Sequence, residues 1–173
     1  MKNQFEHITH TMPPIVDQNC IVLINGSMLS PKSRQYCCYY GHPQNKFWKI
    51  ICGLWNAEDP LVPELRHKFA LQHHIALWNV INECDIVGAS DATIKNVIPN
   101  DMNEILDIAN IKAIFNLGRK ANLLFEKYCS PKLRTPVPHY YLPSTSPANA
   151  AIKFDELSKK FSVIRDIIDS NNL

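Results

Sequence analysis

The chain has 173 residues, 46% of them apolar and 20% charged, with a formal net charge of +2. That size suits one domain around one core, and the composition is that of an ordinary globular protein. No apolar run reaches the length of a membrane span, and the opening MKNQFEHITH lacks the apolar stretch of a secretion signal.

A cytoplasmic protein is therefore expected, nucleoid-associated if bacterial, with no membrane partner. The six cysteines, Cys20, Cys37, Cys38, Cys52, Cys84 and Cys129, form no CxxC pair and no zinc-spaced cluster with histidine. No metal is expected, and the thiols should be reduced and buried.

In chain order, residues 1–18 read as an irregular lead-in ending in the turn-prone Met-Pro-Pro at 12–14. Four short apolar runs then read as buried strands: CIVLIN at 20–25, IALWNV at 75–80, KAIFN at 112–116 and HYYL at 139–142. Helical patterns lie between them at 45–55, 64–73, 101–110 and 119–128. The third opens on Asp101 and Glu104, a capping-box spacing. Residues 150–170 hold the C-terminal helix, where Leu157, Phe161, Ile164 and Ile168 mark one buried face. Lys159 and Lys160 follow Asp155 and Glu156 by four on its outer face.

Strands alternating with helices predict an α/β domain over 1–173 with a parallel sheet covered on both sides. Such sheets bind ligands beyond the carboxyl ends of their strands. Asn25 to Met28, Asn79, Asn116 to Gly118 and Pro143 to Ser146 lie there, offering a neutral pocket of amides and hydroxyls. Phosphate-loop, dinucleotide-turn, nucleophile-elbow and zinc-deaminase motifs are all missing. A phosphate-rich nucleotide cofactor is therefore not expected.

Amide-rich pockets suit the edge of a nucleobase. Deamination leaves a carbonyl acceptor beside a ring N–H donor, which an asparagine amide can match. Breaking an N-glycosidic bond puts negative charge on the leaving base, which fixed donors stabilise. The run GHPQNKFW at 41–48 joins a turn, an amide and two aromatics. Asn45 is placed to start a helix, Tyr40 or Phe47 to stack on an extruded base, and His42 either to donate to base or phosphate or to brace the turn. Lys46, Lys49, Arg119 and Lys120, with Lys32 and Arg34, are candidate phosphate contacts or a solvated surface.

GSMLS at 26–30 and YYGHPQNKFW at 39–48, followed in order by IALWNV, VGASDATI at 87–94, IFNLG at 114–118 and LPSTSPANA at 142–150, resemble the uracil-DNA glycosylase superfamily, in particular its hypoxanthine-DNA glycosylase branch. The resemblance implies a three-layer αβα sandwich with a short, mainly parallel four-stranded sheet. It implies a monofunctional glycosylase that hydrolyses a deaminated base, hypoxanthine first, from double-stranded DNA, working as a monomer without cofactor. Asn45 would be the catalytic amide and Asn116 a second one. Gly26, Ser27 and Met28 would line the base pocket. The segment Pro143 to Asn149 would enter the duplex, with Ser144 and Ser146 on phosphates and Pro147 and Asn149 beside them.

Three positions depart from the branch: Leu29 for proline, Gln44 for arginine and Asn79 for aspartate. Asn79 widens the expectation toward uracil or merely ties a loop. A uracil-preferring enzyme and a non-catalytic DNA-binding module are the alternatives.

Overall fold

Three runs of five residues, VLING, IALWN and AIFNL, are buried at every position. A strand apolar on both faces is stable only when both faces are covered, and this decides the architecture. The computed structural model describes residues 4–172. Its elements, in chain order, are β1 (Glu6–Thr9), β2 (Val22–Gly26), α1 (Pro31–Tyr36), α2 (Phe47–Gly53), α3 (Pro63–Gln72), β3 (Ile75–Asn79), β4 (Ile81–Ile86), β5 (Lys95–Pro99), α4 (Asn103–Ile108), β6 (Ala113–Leu117), α5 (Arg119–Leu124), β7 (His139–Leu142) and α6 (Phe154–Asn171).

The main sheet has the order β3-β2-β6-β7 and is parallel throughout. Helix α6 packs on β2 and α2, α5 on β6 and β7, and α3 on β3. Phe161 and Ile164 of α6 are fully buried with Leu23, Ile24 and Phe115 in one core. The four strands and the amphipathic C-terminal helix agree with the sequence expectation of an αβα domain. The outer face of α6 is tied by Arg165 to Asp169, not by the lysine pairs expected nearer its start.

Several expectations need correction. The lead-in is not irregular: Glu6–Thr9 pairs antiparallel with β4, and Ile15 bridges Leu77. Only Ile8 in that strand is apolar, and one apolar residue gives no period to read. A second sheet, β1-β4-β5, is antiparallel and encloses its own small cluster of Ile81, Cys84, Ile86 and Ile94.

Helix α1 was also not anticipated. It is capped by Ser30, whose hydroxyl accepts the Ser33 N–H. Asp101 makes no reciprocal box with Glu104; its carboxylate takes both the backbone and side-chain N–H of Asn103. The helix at 119–128 is regular only to Leu124 and widens into a π turn over Phe125–Cys129. Of the six cysteines, Cys37 alone is exposed.

Candidate active site

The carboxyl ends of β2, β3, β6 and β7 open on a pocket of about 630 Å³. Its wall includes Gly26, Ser27 and Met28 after β2, Asn79 at the end of β3, Leu117 at the end of β6, and Ser144 to Asn149 after β7. Tyr40, His42 and Asn45 enter from the loop before α2, and Asp91 from the loop after β4. The placement follows the rule for parallel sheets, and the size is that of ligand-binding cavities.

Asn45 starts α2 from outside: its side-chain oxygen accepts the Phe47 backbone N–H at 3.0 Å. This fixes the amide plane and leaves the amide N–H pair and one oxygen lone pair for the pocket it lines. His42 Nδ1 accepts the Gln44 backbone N–H, so the neutral ring carries its proton on Nε2 and is a donor there.

Tyr40 stacks on Phe47 with ring centroids 3.8 Å apart. Phe47 is fully buried and does not reach the pocket, so the stacking role considered for either residue is open only to Tyr40. Tyr40 holds a left-handed backbone at φ 54, a strained conformation of the kind that collects at functional sites. Its hydroxyl is buried without a partner among the described residues, and burial pushes its pKa up.

Two further polar groups of the pocket, Ser27 and Asn79, are oriented from outside it. Ser27 donates its hydroxyl to Asp91, 2.9 Å from one carboxylate oxygen and 3.0 Å from the other. With its proton so engaged, Ser27 shows only lone pairs to the pocket. Asp91 lies on the rim, yet protein around its carboxylate raises its pKa, against the pull of Ser27 and Lys120. Asn79 is buried, and its side-chain oxygen lies 2.9 Å from His10 Nε2. Its amide nitrogen rests against Gly26, where an added Cβ would meet it at 2.7 Å.

Asn116 is elsewhere. It is fully buried in β6, its oxygen accepting from Asn25 at 3.4 Å, and it does not line the pocket. Its neighbour Leu117 points the other way along the strand and does line it. Lys46 has structural ties as well. Its ammonium donates to the Ile152 carbonyl at 3.4 Å, and its backbone N–H to Thr145, so it ties two loops together. Arg119 is exposed at the start of α5, just past Gly118. That glycine has φ 87 and lets Ser144 approach closely.

The segment after β7 is folded on itself. Ser144 Oγ accepts the Ser146 N–H, Ser146 Oγ accepts the Ala148 N–H, and Asn149 donates to the Ser144 carbonyl at 2.8 Å. Each serine hydroxyl is used as an acceptor, so its own proton stays free to donate outward. Pro147 stands exposed at the tip.

The chain is 31% identical over 111 residues to the hypoxanthine DNA glycosylase of Methanosarcina barkeri, an alignment covering 63% of this chain and 70% of that one. The protein of the same name from Methanosarcina acetivorans is 30% identical over 117 residues, covering 66% and 73%. This chain belongs to the hypoxanthine-DNA glycosylase branch of the uracil-DNA glycosylase superfamily. The glycosylase also superimposes on the solution NMR structure of a candidate uracil DNA glycosylase from M. acetivorans. The TM-score is 0.78 at 27% identity, over 95% of this chain and 99% of that one. No family model matches the sequence.

Sequence reasoning missed His10 as a pocket-orienting residue of this glycosylase. It lies in the lead-in, and no local signal links it to Asn79, 69 residues away. Asp91 was considered as a residue orienting a pocket group, and it touches Ser27.

Proposed function

We propose that this DNA glycosylase excises hypoxanthine from duplex DNA by simple hydrolysis, and that its pocket reads the lactam edge of the extruded base. The observation carrying this reading is a donor and an acceptor lining one pocket, each fixed from outside: the Asn79 amide, whose oxygen is engaged by His10, and the Ser27 hydroxyl, whose proton is engaged by Asp91. Hypoxanthine offers a carbonyl oxygen beside a ring N–H, the complementary pattern. Adenine offers the reverse, and would leave both buried groups unpaired, a strong penalty in such a site.

Tyr40, backed by Phe47, forms the face on which the base lies. As the glycosidic bond breaks, charge develops on the base, and the Asn79 N–H groups and the His42 Nε2–H stabilise it. Asn45 orients the attacking water through its remaining oxygen lone pair. A neutral amide suffices there because the oxocarbenium-like sugar is strongly electrophilic. No lysine lines the pocket among the described residues, so no amine is placed to attack the sugar and cleavage stops at the abasic site. Ser144, Ser146, Pro147 and Asn149 meet the strand at the flipped position, with Arg119 on a neighbouring phosphate.

Uracil carries the same lactam pattern, so weaker uracil excision accompanies the main activity. Flipping costs least for a mispaired base, so hypoxanthine opposite thymine reacts faster than opposite cytosine. The test is single-turnover cleavage of labelled duplexes carrying one hypoxanthine or one uracil, developed with alkali. Hypoxanthine release faster than uracil release is expected; uracil release alone would overturn the substrate assignment.

A further inference from the structure

Asn79 can face the pocket in two ways. Turned one way it offers hydrogens to a carbonyl; turned the other it offers an oxygen to an N–H. Nothing inside the pocket decides between them. We infer that His10, a residue outside the pocket, sets the hydrogen-bonding sense of Asn79 and is thereby a specificity-determining positioning residue. The inference deepens the lactam-edge reading and rests on it.

His10 is held on several sides, the Met12 backbone also bearing on its ring. Its backbone N–H donates to the Asn82 carbonyl at 2.6 Å, extending the β1–β4 ladder by one residue. Its ring lies tilted against Tyr39 with centroids 6.1 Å apart, and Tyr39 is anchored by its hydroxyl on the Pro13 carbonyl at 3.1 Å. Its Nε2 then meets the Asn79 oxygen at 2.9 Å. A carbonyl oxygen only accepts, so Nε2 carries the proton.

The backbone of Asn79 is fixed as well, its carbonyl accepting from the Asn100 amide at 2.9 Å. With oxygen toward His10, the Asn79 nitrogen is left against Gly26 on the pocket wall. Burial lowers the His10 pKa, against the pull of Asn79 and of the Met12 backbone, and so favours the neutral ring. A neutral ring has one proton and two tautomers. The Nε2–H form makes Asn79 a donor into the pocket. The Nδ1–H form would make Nε2 an acceptor, turn the amide over, and invert what the pocket reads.

Two measurements test this. The first is the nitrogen NMR spectrum of the imidazoles in the full-length protein at neutral pH, with His10 assigned from its loss in His10→Leu. The Nε2–H tautomer is expected; Nδ1–H would overturn the inference. This arm needs no catalysis.

The second compares single-turnover excision of hypoxanthine with that of its 6-thio analogue, which keeps the ring N–H but is a poor acceptor. Wild type should prefer oxygen. In His10→Leu that preference should fall roughly tenfold, about the worth of one neutral hydrogen bond, and His10→Gln, which keeps a donor, should restore it. Equal slowing on both substrates would show a merely structural role and overturn the inference. Inactivity of wild type on every base would instead sink the proposed substrate, and the tautomer alone would then decide the inference.

Discussion

The side-chain oxygen of Asn45 accepts the Phe47 backbone N–H at 3.0 Å, so one amide both starts a helix and faces the pocket. The two roles separate by substitution. Asn45→Ala should lower single-turnover excision roughly a hundredfold, the scale of losing a preorganised polar group. It should also lower stability by about 1 kcal/mol through the lost bond to the Phe47 N–H that leads into α2. Asn45→Asp keeps the accepting oxygen, so its melting temperature should stay near wild type while excision falls. Equal stability loss in both would argue against the stabilising role of that bond.

Asp91 carries a prediction about pH. Its pKa is raised by burial, so it takes up a proton at higher pH than an ordinary carboxylate. Once protonated it no longer holds the Ser27 hydroxyl in one sense. Hypoxanthine excision should therefore decline as pH falls through that raised value, and Asp91→Asn should remove this acid limb. Stability moves the other way. A raised folded-state pKa favours the protonated form, so its contribution is full below about pH 4 and is lost as pH rises through the raised value. Asp91→Asn should then melt higher than wild type at neutral pH, with the gap closing in acid.

Gly26 is packed under Asn79 and Tyr40. An alanine Cβ there would lie 2.7 Å from the Asn79 amide nitrogen and 3.5 Å from the Tyr40 hydroxyl. Gly26→Ala should cost about 1–3 kcal/mol of stability from overpacking while leaving the sheet formed. Excision should fall more than tenfold, because the amide that must move is the one aimed at the base. Wild-type excision by this variant would show that Asn79 has no part in base reading.

Behind the loop that carries Asn45, Arg66 grips Asp59 with two bonds of 2.8 and 2.6 Å, and its guanidinium lies 5.8 Å from the Trp48 ring centroid. Trp48 in turn donates to the Tyr39 carbonyl at 2.7 Å. Burial works to raise the Asp59 pKa, but Arg66 and the Leu61 N–H outweigh it and hold it below the usual range. Such a pair stabilises above the ordinary carboxylate pKa and weakens as pH falls through the depressed one. Asp59→Ala should cost about 2 kcal/mol at pH 7, with the difference shrinking at about pH 3, as read by urea denaturation at both.

The parallel sheet was legible because each of its buried strands opens on an apolar run, VLI, IALW and AIF, and the pocket followed from where those strands end. The antiparallel sheet was not. INECDI and KNVIP mix charge and apolar residues, and EHIT carries one isoleucine. Their small core of Ile81, Cys84, Ile86 and Ile94 leaves too few apolar positions for a period. His10 was hidden with that sheet, and only the fold brings it to Asn79. Asn116 was expected beside the pocket and is not among its lining residues, because alternation along a strand sends neighbours to opposite sides. Being at a strand end in sequence does not say which side a given residue faces.

Asn25 and Asn116 stand directly opposite one another across β2 and β6, joined by one bond, with the Asn25 oxygen and the Asn116 nitrogen left without partners among the described residues. Two amides inside an apolar sheet are costly apart and tolerable together. If β6 slid one residue along β2 during folding, that bond would be lost and both amides would be buried apart, a penalty of about 1–3 kcal/mol. The pair therefore acts as an indexing pin for assembly. The pair is not among the residues lining the pocket, yet it sits one residue below Gly26 and Leu117, which are.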